Sequence, residues 1–373
     1  MFRYFLSLLG VILALPILAV IALSLGLPIT LSGVGYLLGG ALAAAGLILA
    51  SWTGRNCISL TIFGILILAV VAGVRLSVVE QQTNPSIRMI TLPQNKSTHW
   101  INNVIDEQDS LIVGERLLNL IGGDSPDEHR GLASALQTDY SEMRRVQRVF
   151  PSPIVSTYLN LEGTNRFDAI LIQADIHRPP EFALVFLHGY MGNVTAQCWE
   201  IAQGVIRFDA MTVCPSTGWQ GDWWQPQGKA ILQATFQYLR EQGIQRFYLG
   251  GFSNGGISMG RLASQLKDEP GLSGLIFIDG FADGTGVREL GLPVLVVQGL
   301  QDERIPASGA RQFVQELGDL ATYVEIEGDH FLIMKGPKPV QLAIAKWLEM
   351  LESKHSTAFI VLSCLESRLN SSI

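Results

Sequence analysis

Three stretches near the start of the chain carry no charged residue: Tyr4–Gly26, Ile29–Gly54 and Asn56–Val74. An α-helix advances about 1.5 Å per residue, so crossing the hydrocarbon core of a bilayer takes about 20 apolar residues. Each run is near that length or longer, and the front of the chain therefore predicts three membrane-spanning helices, at about residues 4–26, 30–52 and 57–76. A secretory signal peptide has a shorter apolar stretch and leads into a polar mature start, whereas here a second apolar run follows at once. Burial in a soluble core would demand three uncharged helices in succession. Composition agrees with the membrane reading: 48% of residues are hydrophobic, 16% are charged, and mean hydropathy is +0.30. Within the second run, Gly35 and Gly39 form a G-x-x-x-G spacing, which lets helices approach closely.

Basic residues flanking the runs bear on orientation. Arg3 precedes the first and Arg55 separates the second from the third. By the positive-inside rule both face the cytoplasm, which puts everything after the third run on the extracytoplasmic side. Arg75 and Arg88 count in the opposite direction. The net charge of −7 and the absence of a basic cluster argue against a nucleic-acid partner. Of four cysteines, Cys57 falls in a span, and no pair has C-x-x-C spacing. Cys198 and Cys214 are read as buried free thiols, with a disulfide open to them in an oxidising compartment.

Residues 79–150 are expected to form a linker and a helical stalk. Gln81, Gln82, Asn84, Pro85, Pro93 and Asn95 make 79–98 polar and turn-rich. A helix is expected over 110–121, ending at Gly122-Gly123. A second is expected to open at Ser125-Pro126-Asp127-Glu128, a capping-box spacing with proline in the first turn. From 151 to 353 the pattern changes to eight short β-rich runs: 155–161, 167–176, 182–188, 210–215, 246–251, 275–280, 293–299 and 322–328. Later runs are separated by helix-length segments (194–207, 228–242, 255–267, 307–317 and 338–353), which indicates an α/β class with a mostly parallel sheet. The tail 354–373 has an apolar patch too short to span a bilayer.

The chemistry sits at the ends of these runs. Gly251-Phe252-Ser253-Asn254-Gly255 fits G-x-S-x-G, the sharp strand-to-helix turn that lifts a serine hydroxyl clear of a sheet. Such a serine needs a base, an acid to orient that base, and donors for an oxyanion. Asp302 follows the run 293–299, and His330 follows 322–328, in the order serine, acid, histidine. Asp279, Asp283 and Asp329 are alternative acids. His188-Gly189 follows the run 182–188 and supplies the oxyanion turn.

On these residues, 153–353 resembles the α/β-hydrolase superfamily: a mostly parallel eight-stranded sheet flanked by helices, here preceded by transmembrane helices. The resemblance implies a serine hydrolase with Ser253 as nucleophile, His330 as base and Asp302 as acid, and gives His188 a turn-shaping role. Oxyanion donors are expected from the backbone N–H of Asn254 and of Tyr190, with Met191 as the alternative. No metal or organic cofactor is called for. Only about a dozen residues separate Gly280 from Pro293, leaving no room for a separate lid. Trp219, Trp223 and Trp224, in the loop after 210–215, are candidate substrate contacts. A lidless site of this kind is similar to the phospholipase/carboxylesterase and dienelactone-hydrolase side of the superfamily and implies a small-molecule or lipid-like ester. The doubled glycine of "GFSNGG" also resembles prolyl oligopeptidases, which implies a serine peptidase. A membrane-tethered binding protein that has lost its chemistry is the third reading, and the presence of all three triad residues weighs against it. Protein partners have no signature in the sequence.

Overall fold

The computed structural model of the protein describes residues 2–53, 57–80, 86–94, 98–121 and 131–370. The expected capping box at 125–128 lies outside them. Contacts divide the chain into two units, one comprising residues 1–171, 191–196 and 216–219, the other residues 172–190, 197–215 and 220–373.

The first unit opens with three helices, α1 (Phe2–Ser24), α2 (Leu31–Thr53) and α3 (Ile58–Glu80). Leu31–Ala50 and Ile58–Val79 are long and apolar enough to cross a membrane, and Leu8–Ser24 is a shorter apolar segment. Gly35 and Gly39 do face α3. A side chain at Gly39 would come within 2.9 Å of the Gly64 carbonyl oxygen, and one at Gly35 would meet Val71. At Gly39 and Gly64 the two backbones thus approach where neither helix carries a side chain, while Gly35 makes room for Val71.

Polar residues clamp one end of this bundle to the segment that follows. Asp106 accepts from both Arg75 and Arg144, each at 2.9 Å. Asp109 accepts from the Thr30 N–H at 2.9 Å and from its hydroxyl at 2.5 Å. Asp106 and Asp109 flank and begin α4 (Glu107–Ile121), and a further helix follows at Leu132–Val146. Glu107, buried on α4, accepts from the Tyr140 hydroxyl at 2.6 Å and from the N–H groups of Thr195 (2.8 Å) and Ala196 (3.1 Å). It therefore meets donors that open the helix Thr195–Gln203 and would otherwise lack partners.

Two expectations fail here. The supposed linker contains strand β1 (Ile87–Leu92), whose first residue exchanges two 3.0 Å hydrogen bonds with the Gln147 side-chain amide. The supposed strand 155–161 is instead the short helix Ile154–Tyr158 followed by a turn. Asn102 accepts the Ser156 N–H at 2.9 Å, and Ser156 donates to the Pro153 carbonyl at 2.9 Å, so local side chains satisfy the backbone in place of a ladder.

The sheet has eight strands in the order β1-β2-β4-β3-β5-β6-β7-β8. They are β2 (Phe167–Gln173), β3 (Ala183–Leu187), β4 (Met211–Pro215), β5 (Phe247–Phe252), β6 (Leu272–Ile278), β7 (Val294–Gly299) and β8 (Ala321–Ile326), with β1 as above. From β4 to β8 every neighbouring pair is parallel. Strands β2, β3, β4, β5 and β7 are buried along their whole length, which is why each reads as a continuous apolar run rather than an alternation. In the second unit the helices Pro226–Glu241, Asn254–Leu266, Ala307–Leu317 and Pro337–Asn370 separate or follow these strands. Cys198 and Cys214 are joined by a disulfide, which corrects the free-thiol reading and ties the helix Thr195–Gln203 to β4.

Candidate active site

In a parallel sheet the carboxyl ends of the strands share one edge, where loops converge. Ser253 follows β5 directly, His188 follows β3, and Asp279 follows β6. Asp302 and His330 lie a few residues beyond β7 and β8. Five chemically capable side chains are thus delivered to one edge by topology alone.

The turn at Ser253 is strained. Its backbone sits at φ 52°, ψ −121°, a conformation costly for any residue with a Cβ. It is held by two backbone bonds, from the Ser253 N–H to Ile278 (2.9 Å) and from the Ile257 N–H to Ser253 (3.0 Å). The flanking glycines are needed for space. A Cβ on Gly251 would approach the Gly255 carbonyl carbon to 2.6 Å, and one on Gly255 would collide with the Leu187 carbonyl oxygen.

Three of the expected residues meet. His330 Nε2 lies 2.9 Å from Ser253 Oγ, and His330 Nδ1 lies 2.8 Å from Asp302 Oδ2. All three are buried, with 8%, 4% and 4% of Ser253, His330 and Asp302 exposed. The other Asp302 oxygen accepts the N–H groups of Arg304 (2.9 Å) and Ile305 (2.8 Å), which hold the carboxylate in place. Gln298, on β7, adds a 3.3 Å contact from its amide to Asp302 Oδ2. Sequence reasoning missed Gln298, since one amide within a strand carries no distinguishing signal.

The alternative acids are accounted for. Asp329 pairs with Lys335 and accepts the Phe331 N–H, and Asp283 accepts the Gly286 N–H at 3.1 Å at the start of a short helix. Asp279 is different. It offers an oxygen within 4.8 Å of ligand atoms of both Asp302 and His330, is 1% exposed, and accepts the Gly299 N–H at 2.8 Å. Its second oxygen makes no hydrogen bond. Burial first, then the charges of Asp302 and Asp329, push the Asp279 carboxyl well above the usual carboxylate range.

The His188-Gly189-Tyr190 turn packs against the same serine. A Cβ on Gly189 would lie 3.0 Å from Ser253 Cβ and 3.2 Å from the Asn254 nitrogen. Asn254 opens the helix Asn254–Leu266, where its N–H has no preceding helical carbonyl to bond. His188 is buried, which pulls its imidazole down to about 4, and its Nδ1 donates to the Gly189 carbonyl at 2.9 Å. It is a neutral turn-former. Met191 belongs to the first unit and takes a left-handed φ of 77°.

The tryptophans divide. Trp223 is engaged inside the fold. It is fully buried, its indole N–H donates to the His188 carbonyl at 3.0 Å, and its ring packs edge-on against the His188 ring. Trp224 lies under the Arg261 guanidinium, 4.2 Å from the ring centroid. Trp219, in the first unit, is 46% exposed.

Residues 225–332 match the model of a family described as "Alpha/beta hydrolase family". The fold is the α/β-hydrolase fold. The matched span includes Ser253, Asp279, Asp302 and His330 of this hydrolase fold. No curated protein matches the sequence. Among solved structures, Est1E from Butyrivibrio proteoclasticus is 16% identical, with a TM-score of 0.44 over 50% of this chain and 94% of its own. A thermophilic esterase from Thermogutta terrifontis is 15% identical, with a TM-score of 0.42 over 50% and 94%. An alpha-beta serine hydrolase homologue from Coxiella burnetii is 18% identical, with a TM-score of 0.40 over 49% and 92%. Likeness at this level carries nothing about activity.

Proposed function

We propose that the chain is a membrane-anchored serine hydrolase that cleaves carboxylic esters through Ser253, His330 and Asp302. The observation that carries this reading is the buried relay of 2.9 and 2.8 Å from Ser253 through His330 to Asp302. In that geometry His330 Nε2 accepts the Ser253 proton as Oγ attacks the ester carbonyl, and Asp302 fixes the tautomer with the proton on Nδ1. The N–H groups of Asn254 and Tyr190 receive the developing oxyanion, with Met191 the alternative to Tyr190. Loss of one such donor typically costs about 10²–10³ in rate. His330 then protonates the leaving alcohol, and water hydrolyses the acyl-enzyme by the same steps in reverse. The test is labelling of membranes with a fluorophosphonate probe. Wild type should be labelled and Ser253→Ala and His330→Ala should not; an unlabelled, folded wild type sinks the esterase reading.

The domain plan that goes with this reading is a membrane region over 1–78, a connecting segment over 79–150, a hydrolase domain over 151–353 and a tail over 354–373. The connecting segment also supplies β1. We place the hydrolase on the extracytoplasmic side. Arg3 and Arg55 favour that side, and so does the Cys198–Cys214 disulfide, since such bonds persist in oxidising compartments. Cells lysed in a thiol-blocking reagent should yield protein whose Cys198 and Cys214 react with maleimide only after reduction. Reaction before reduction would place the domain in the cytoplasm.

A further inference from the structure

Helix α4 has two unlike faces. Leu111, Ile112 and Glu115 are buried on one, while Ser110, Gly114 and Leu117, at i, i+4 and i+7, form a stripe on the other. This stripe is the shared wall of two apolar cavities of about 490 and 420 Å³, both lined wholly by residues of the first unit. The larger is lined on its far side by Val20 and Leu23 of α1 and Leu37 of α2. The smaller runs on from Gly114 to Ile154, Tyr158, Leu159 and Met191.

Several observations indicate a hydrocarbon occupant. Leu117, Tyr158 and Leu159 are 46%, 50% and 55% exposed, so apolar surface is grouped where no core needs it. The carboxylates lining the larger cavity are already engaged, Asp106 by Arg75 and Arg144 and Asp109 by Thr30. Asp106 is therefore charge-paired, and both Asp109 oxygens are held by hydrogen bonds. At Gly114 an added Cβ would meet nothing within 4 Å, so the stripe is open where the two cavities join. One end of the track is walled by α2, which is long and apolar enough to cross a bilayer, and by the shorter apolar segment of α1. The other ends at Met191, bonded in the chain to Tyr190, a residue assigned above to the oxyanion turn. Gly192 follows, with Trp219 at its side, 3.7 Å from where a Cβ on Gly192 would stand.

We propose that the two cavities are one binding site for the long acyl chain of a membrane lipid ester, which lies along the Ser110–Gly114–Leu117 stripe with its ester end toward Met191. The proposal rests on the serine-hydrolase reading and names the substrate class for it. It makes the chain a hydrolase of long-chain esters drawn from the bilayer rather than of short soluble ones.

Gly114→Leu fills the junction, and leucine is a better helix former than glycine, so α4 is not weakened. With the full-length protein in mixed micelles, kcat/KM on a p-nitrophenyl ester with a sixteen-carbon acyl chain should fall at least about tenfold, the size of effect that a few methylenes in an apolar pocket produce. The four-carbon ester should change less than about twofold. Equal loss on both esters, or no loss on the long one, overturns the proposal. A second readout does not need turnover. A palmitate bearing a photoactivatable diazirine should form adducts on peptides containing Leu117 or Tyr158–Leu159 in wild type. Those adducts should be lost in Gly114→Leu and in Leu117→Trp, which obstructs the same junction from an exposed position. Adducts confined to α1–α3, or unchanged in both variants, overturn the site whether or not Ser253 reacts with fluorophosphonate. Absent Ser253 labelling with these adducts intact would instead overturn the hydrolase reading.

Discussion

At the scale of single residues, the decisive contrast is between two buried aspartates near one histidine. Asp302 bonds His330 and takes two backbone N–H groups, which fix the carboxylate against the imidazole. Asp279 takes one, and burial drives its carboxyl well above the usual carboxylate range. Asparagine can keep the Asp279 acceptor for the Gly299 N–H, but it can put an amide donor where Asp302 faces His330 Nδ1. Asp279→Asn should therefore leave kcat near wild type, while Asp302→Asn should cost up to about 10⁴ by fixing the wrong His330 tautomer. Initial rates on one soluble ester decide it, and the reverse pattern would make Asp279 the acid. The sequence made Ser253, His330 and Asp302 legible because each closes an apolar run in the expected order. It did not make Trp223 legible. The indole is claimed by the His188 carbonyl, 35 positions earlier, and such a partner leaves no trace in local pattern.

At the scale of elements, the expected number of strands is present but not the expected set. "VSTYLNL" has the β-branched and aromatic residues of a strand, yet the Asn102 side chain, accepting the Ser156 N–H, and the Pro153 carbonyl, accepting its hydroxyl, draw Ser156 into a helical turn. "IRMITL" hides in a polar segment because its partners are distant in sequence. The buried network beneath these elements joins the Ile154–Tyr158 helix to the start of β2. Asp168 accepts from Thr91 (2.6 Å), His99 (2.7 Å) and Asn102 (2.7 Å), and its N–H donates to Glu162 at 2.8 Å. Burial, then the Asp168 charge, pushes Glu162 up to about 8. Above the ordinary carboxylate value and below about 8, the folded chain keeps a proton that the unfolded chain releases. Stability therefore falls as pH rises through that window, by a total on the order of 5 kcal/mol. Glu162→Gln keeps the acceptor and abolishes the titration. Its thermal midpoint in detergent should drop less than that of wild type between about pH 5 and pH 8; parallel curves would show that Glu162 does not titrate there.

At the scale of the whole molecule, the apolar front and the α/β remainder were both legible, since each repeats a signal over many residues. The boundary between them was not. Composition puts it at the polar stretch after α3, and the hydrolase resemblance begins only near residue 153. Strand β1 lies between those two points and occupies the end of the sheet, beside β2. A chain begun at 151 to obtain a soluble enzyme would therefore lose that strand and bare the backbone donors and acceptors of β2, an invitation to pair with another copy. It would also leave the donors of Thr195 and Ala196 without the carboxylate of Glu107. Size-exclusion chromatography should find such a protein in large assemblies, whereas a monomer would mean that β1 is dispensable. The stretch that looks like a tether is the selvedge of the sheet's own fabric, and trimming it lets the weave run.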